Sequence, residues 1–190
     1  DTCYCQENYT GNECEFTECF GVNSTSASVC SGHGSCLSPN NCSCLGGYVG
    51  NECQYNVCYD LVDTDPDVCS GHGSCDAPDN CSCADGYTGY ECNINICYSV
   101  NGTSTAVCSG HGECVAPNNC TCEEGYTDEE CSTSICYGIN GTAGDVCSGH
   151  GVCTAPDNCL CDDKYTGHEC NVVVCFNINA TVAGVCSGHG

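Results

Sequence analysis

Apolar residues along this chain come mostly singly or in short runs between polar ones, and the longest purely aliphatic run is Val172 to Val174. No apolar period of 3.6 lasts for even three turns, so the pattern predicts no helix of consequence. Short segments bounded by Gly, Asn and Asp predict small two-stranded hairpins instead. The Pro-Asn/Asp-Asn steps at 39–41, 78–80, 117–119 and 156–158 read as tight turns, and the intervening Ser-Gly-His-Gly steps as flexible backbone.

What does repeat is cysteine. Cys19, Cys58, Cys97, Cys136 and Cys175 lie 39 residues apart, as do Cys30, Cys69, Cys108, Cys147 and Cys186, with no insertion or deletion anywhere. A fixed period of this length denotes a small structural unit repeated end to end, each touching mainly its neighbours.

Composition then fixes the compartment. Cysteine supplies 29 of 190 residues, far above the roughly 8–10% that marks a disulfide scaffold, and such density is tolerated only where thiols are oxidised. The protein is expected to be extracellular, secreted or at the cell surface. Setting the cysteines aside, the hydrophobic content of 41% falls to about a quarter, too little for one large core. Disulfides must therefore do the folding, and closing a loop of some 18 residues contributes about 3 kcal/mol in the chain-entropy picture.

One basic residue, Lys164, stands against 25 acidic ones, a net charge of −24. Nucleic acid is excluded as a partner, since no positive groups exist to displace counterions from phosphate. Membrane insertion is not expected, because no run approaches the ~20 apolar residues that cross a bilayer. The sequence has neither an initiator Met nor a leader pattern, so a mature product or an excised piece is expected.

Within one period six cysteines stand at Cys19, Cys30, Cys36, Cys42, Cys44 and Cys53. Six allow fifteen pairings, among which spacing alone does not choose. The order Cys-Ser-Gly-His-Gly-x-Cys at 30–36, Asn-Cys-x-Cys at 41–44 and Gly-Tyr-x-Gly-x-x-Cys at 47–53 resembles the epidermal growth factor (EGF)-like module of tenascin or teneurin type. The resemblance implies a small disulfide-rich fold: a linear array of EGF-like modules with short two-stranded β-hairpins and little or no helix. Complete modules would occupy 19–53, 58–92, 97–131 and 136–170, with the C-terminal part of a module at 1–14 and the N-terminal part of a further one at 175–190.

The same resemblance implies first-to-third, second-to-fourth and fifth-to-sixth pairing. That gives Cys5–Cys14; Cys19–Cys36, Cys30–Cys42 and Cys44–Cys53; Cys58–Cys75, Cys69–Cys81 and Cys83–Cys92; Cys97–Cys114, Cys108–Cys120 and Cys122–Cys131; and Cys136–Cys153, Cys147–Cys159 and Cys161–Cys170. Cys3, Cys175 and Cys186 are left over. The chain begins and ends inside a module, which reads as a cut from a longer array.

Chemistry is sparse. His33, His72, His111, His150 and His189 recur beside cysteines, but paired cysteines are not zinc ligands, and Ser-Gly-His-Gly is an ordinary turn in this family. Serine and histidine two apart on one turn make no hydrolase site, so neither catalysis nor a cofactor is expected. Calcium-binding members of the family carry Asp/Asn-x-Asp/Asn-Glu/Gln before the first cysteine. Here four junctions end in Val57, Ile96, Ile135 and Val174, and the first, Glu15 to Glu18, has carboxylates but lacks the upstream pair, so no metal site is expected. Two aromatic columns, Phe20, Tyr59, Tyr98, Tyr137 and Phe176, and Tyr9, Tyr48, Tyr87, Tyr126 and Tyr165, have two readings: dry contacts to the next module, or covers for their own disulfides.

Asn-x-Ser/Thr places N-glycans at Asn8, Asn23, Asn101, Asn140 and Asn179, the last four in one register. Asn41, Asn80 and Asn119 also lie in such sequons, with cysteine in the middle, and less use is expected there. By resemblance, Ser35 and Ser74 fit the O-fucose pattern and Thr88 the O-linked GlcNAc pattern. The leading expectation is a structural, rod-like, glycosylated segment of an extracellular filament, coat or matrix fibre. Self-association or continuation into a longer array would supply the contacts, with other extracellular proteins as further partners. The alternative is the ligand-binding or stalk region of an adhesion or signalling receptor, with the Asp-rich stretch Asp60 to Asp67 either a partner site or drift in an exposed loop.

Overall fold

The structure, a computed structural model, describes residues 3–175 and the backbone of 178–179. It forms two compact units, Asp1–Ile94 and Asn95–Gly190, each built from the same motif. Among the described residues, no helix is long and apolar enough to cross a membrane.

In the first unit, strand Gly34–Ser38 returns through Pro39-Asn40 to pair antiparallel with Asn41–Cys44, placing Cys36 opposite Cys42. Proline presets the first turn position and Asn40 takes the second in the left-handed region at φ 55°. Gly73–Ala77 and Asn80–Cys83 repeat the hairpin, with Asp79 at φ 54°. In the second unit, Gly112–Ala116 pairs with Asn119–Cys122 and Gly151–Ala155 with Asn158–Cys161.

The Ser-Gly-His-Gly step is not loose chain. Cys30, Ser31 and Gly32 hold φ of 51°, 57° and 79°, a left-handed turn closed by the His33 N–H donating to the Cys30 carbonyl at 2.9 Å. Left-handed residues other than Gly cost about 1–2 kcal/mol each, so surrounding constraints must hold them. The Cys30–Cys42 disulfide is one, since it ties this turn to the hairpin.

A second kind of sheet was not visible in the sequence. Tyr48–Val49, Tyr55–Cys58 and Leu61–Val62 form three antiparallel strands, with Tyr48 opposite Asn56 and Val57 opposite Val62. The middle strand is the connector between two modules. It pairs on one side with the last loop of 19–53 and on the other with the first hairpin of 58–92. Tyr9–Thr10, Phe16–Cys19 and Val22–Asn23 repeat this in the first unit. Tyr126–Thr127, Thr133–Cys136 and Ile139–Asn140 do so in the second.

Sulfur makes the core. Among the described residues, thirteen disulfides join Cys5–Cys14 and then, in each six-cysteine set, first to third, second to fourth and fifth to sixth, from Cys19–Cys36 to Cys161–Cys170. The fully buried side chains among the described residues are all cysteines, Cys19, Cys53, Cys58, Cys92, Cys97, Cys131, Cys136 and Cys170. In 58–92 they pack with Val68, Tyr59, Leu61 and Tyr87. No polar or charged residue among those described is buried, so the cross-links and a few aliphatic contacts hold each module. Cys3 and Cys175 carry no disulfide here; Cys186 lies outside the described residues.

Candidate functional site

In a chain of this kind the places where chemistry could act are the junctions and the exposed hairpins. At the junction within the first unit, the Val57 N–H donates to the Gly47 carbonyl at 2.8 Å, and the Val57 carbonyl accepts from the Asp79 N–H at 3.1 Å. The Tyr59 N–H then donates to Asp79 Oδ1 at 2.9 Å, and the Tyr59 hydroxyl to the Asp79 carbonyl at 3.1 Å. Gly47, at φ 86°, lies so close to Pro78 that an added Cβ would come within 2.3 Å of the proline Cβ. The second unit repeats each part, with the Ile135 N–H on the Gly125 carbonyl at 2.7 Å and Gly125 against Pro156. Backbone groups and a glycine–proline contact thus fill the place where calcium-type junctions put carboxylates.

Described members of both aromatic columns pack on the sulfur clusters of their own modules, Tyr59 and Tyr98 in one column and Tyr87 and Tyr126 in the other; Phe176 lies outside the described residues. Tyr48 and Tyr87 pack on the sulfur clusters of their own modules, so they cover their own disulfides. Each also stacks on the histidine of its module. His33–Tyr48, His72–Tyr87, His111–Tyr126 and His150–Tyr165 have ring centroids 3.7–3.9 Å apart and planes within 11° of parallel. The histidines are therefore packing partners, a role the sequence hid because the tyrosine comes from a different loop. His189 lies outside the described residues.

The clusters with metal-ligand spacing among the described residues are sulfur trios such as Cys19, Cys30 and Cys42, whose atoms lie within 4.8 Å of one another. Every sulfur in that trio is in a disulfide and offers no thiolate to a cation.

The sequon asparagines share one local geometry. Asn23 Oδ1 accepts from the Thr25 N–H at 2.8 Å and from Thr25 Oγ1 at 2.7 Å. Asn101 with Thr103 and Asn140 with Thr142 do the same. Such Asx turns satisfy the side-chain carbonyl locally and leave the amide nitrogen, the atom a glycan would occupy, outside the bond. Asn101 and Asn140 are exposed and Asn23 half-buried. Asn179 contributes a strand backbone only. Asn8, half-buried at φ 64°, stands one period before Gly47.

Ser35 is exposed on its hairpin, whereas Ser74 donates to Asp76 Oδ1 at 2.9 Å, and Asp76 also accepts from Ser82. These hydroxyls hold the Asp76 carboxyl below the usual range, Ser82 foremost. Thr88 is half-buried on Tyr87–Thr88.

The Asp-rich stretch of the second repeat has an internal use. Asp63 Oδ2 accepts the Asn56 N–H at 3.0 Å, Asp65 Oδ1 accepts the Asp67 N–H at 2.9 Å, and Asp63 Oδ1 is buried without a partner. Two of its carboxylates thus cap backbone donors.

Residues 66–95 and 144–173 match the Teneurin-like EGF domain, and residues 23–53 match the EGF-like domain. Among solved structures, Drosophila C2-DSL-EGF1 is similar at 30% identity over 47% of this chain and 32% of that chain, with a TM-score of 0.30. The chain thus spans about a third of that structure's length. No curated protein matches. The two teneurin-like segments lie two periods apart, and the repeat between them keeps the same cysteine spacing and the same three disulfides. The chain is therefore a tandem array of EGF-like modules with teneurin-like character.

Proposed function

We propose that this chain is a structural, glycosylated segment of an extracellular filament, coat or matrix fibre. EGF-like repeats are extracellular structural or receptor-type modules, generally without enzymatic activity. The observation that favours the structural reading is the shared sheet at each junction. Within each unit the connector is hydrogen-bonded on both edges, in the same register one or more periods apart. A connector held in this way keeps successive modules at one rotation and rise, which a regular assembly requires and a flexible tether does not supply. The contacts of the assembly would come from copies of this array or from a longer run of the same repeats.

Electron microscopy of the native material, paired with gel mass before and after reduction, tests this. Long particles of even width, of high mass under denaturing conditions, are expected. Discrete particles near 19.6 kDa plus sugar, with no assembly at any concentration, would overturn it.

A further inference from the structure

Residues 97–131 carry a surface depression that the N-glycan register does not account for. It has a volume of about 500 Å³ and is lined by Tyr98, Asn118, Asn119, Cys120 and Glu129, within the ~300–1,000 Å³ typical of ligand clefts. One wall is Tyr98, which also packs on the sulfur cluster of its module. Its hydroxyl differs from those of its counterparts. Tyr59 and Tyr137 donate to the Asp79 and Asp157 carbonyls at 3.1 and 2.8 Å, whereas the Tyr98 hydroxyl has no such partner and is left for a ligand. Asn118 Oδ1 accepts the Tyr98 N–H at 2.7 Å, leaving its amide hydrogens available, and Glu129 adds an exposed carboxylate acceptor.

An aromatic face beside amide donors and a carboxylate acceptor suits a pyranose ring, with its apolar C–H face and equatorial hydroxyls. The attachment point is also present. Asn119 lines the depression, is exposed, and begins the sequon Asn119-Cys120-Thr121. The equivalent sequons at Asn41 and Asn80 end in Ser43 and Ser82, and Asn158 is followed by Cys159-Leu160, which is no sequon. Threonine is the better acceptor sequence.

We propose that Asn119 carries an N-glycan whose first sugar lies in this depression with its face on Tyr98. This rests on the chain being secreted, as the proposed function requires. The Tyr98 phenol, protonated at neutral pH like any tyrosine and pushed further up by burial and then by the carboxylates of Glu129, Glu130 and Asp128, donates to the sugar. Seated there, the sugar would shield the Cys108–Cys120 disulfide, whose Cys120 forms part of the floor.

The test is the whole chain secreted from eukaryotic cells, deglycosylated enzymatically in heavy-oxygen water and mapped by mass spectrometry. Asn119 is expected to be labelled at several times the level of Asn41 and Asn80. Label at Asn101 and Asn140 without Asn119 would overturn the proposal and leave the secreted, glycosylated reading standing. No label anywhere would overturn both. In NMR spectra of the glycoprotein, the acetyl methyl of the Asn119-linked sugar should move upfield under the Tyr98 ring current. Tyr98→Phe should keep that shift and Tyr98→Ser should abolish it. Thr121→Ala, which removes the sequon and leaves the depression intact, should change the Tyr98 ring resonances. A labelled Asn119 whose methyl resonates as in the free glycopeptide would refute the stacking.

Discussion

The imidazole of His33 lies flat on the ring of Tyr48, centroids 3.9 Å apart and planes 6° from parallel. Its importance comes from the disulfide pattern. In 19–53 two bridges close residues 19–42 and a third closes 44–53, and none crosses between the two loops. His33 belongs to the first and Tyr48 to the second. The stack, with the Leu45 N–H on the His33 carbonyl at 2.8 Å and the pairing of Gly34 with Cys44, joins halves that no covalent bridge spans directly.

His111→Ala is therefore expected to loosen 122–131 while leaving 97–120 intact. An aromatic stack adds about 0.5–1.5 kcal/mol beyond the area it buries. Hydrogen exchange should rise within 122–131 by the corresponding factor. Equal acceleration throughout the module would show that the stack is not the local tie.

The glycine–proline contacts predict an asymmetry between two glycines of the second unit. An added Cβ at Gly125, φ 89°, would meet Pro156 Cβ at 2.6 Å, whereas at Gly138, φ 80°, it meets nothing within 4 Å. Both substitutions to Ala strain the backbone, by about 1–3 kcal/mol. Gly125→Ala alone adds a clash across the junction, so it should lower the melting temperature more than Gly138→Ala. Equal losses would mean that Gly125 and Pro156 do not touch in solution.

How much of this was legible follows from where each constraint sits along the chain. The cysteine columns are periodic, so the array and its modules could be read directly. The pairing of Cys19 with Cys36 could not be read from spacing and came from resemblance. The connector sheet escaped because Tyr55–Cys58 is four residues of mixed character, too short to alternate, and its partners Tyr48–Val49 and Leu61–Val62 are two residues each. Pairing of such strands is set by the turns beside them. One is Tyr59-Asp60, at φ 50° and 67°, the two-residue primed hairpin turn usually made by Asn-Gly, here disguised by an aromatic. The histidines escaped for a related reason, since a stack between two loops leaves no trace in either loop alone.

The disulfide ladder predicts that nonreduced peptides will show Cys97 joined to Cys114, Cys108 to Cys120 and Cys122 to Cys131. Since the chain has a single Lys and no Arg, cleavage at Asp, Glu and aromatic positions is the practical route. A Cys97–Cys108 peptide would refute the ladder.

Calcium should matter little to the junctions. Val57 and Ile135 have backbone partners where a cation would need oxygens. Addition of a chelator is expected to leave the melting temperature and the scattering profile unchanged. A fall of many degrees would reveal a site at the junctions.

Asp128 carries a dependence on pH whose direction can be worked out. It stands at φ 78° where Gly50, Gly89 and Gly167 occupy the equivalent positions. Its carboxylate accepts the Ser132 N–H at 3.0 Å, Ser132 Oγ at 2.7 Å and the Glu130 N–H at 2.9 Å. The Thr133 side chain foremost, and then these Ser132 and Glu130 donors, hold the Asp128 carboxyl well below the usual carboxylate range. An unfolded Asp titrates near 3.9, so this group binds its proton more readily in the unfolded chain. Its stabilising effect is complete above about pH 4 and fades as pH falls through the lower folded value. Asp128→Asn should therefore be less stable than the parent at neutral pH, and the gap between the two should narrow with acidification below about pH 4. Hydrogen exchange in the 122–131 loop at neutral and acid pH measures that gap. A difference of the same size at both would show that the bonds to Asp128 do not depend on its charge.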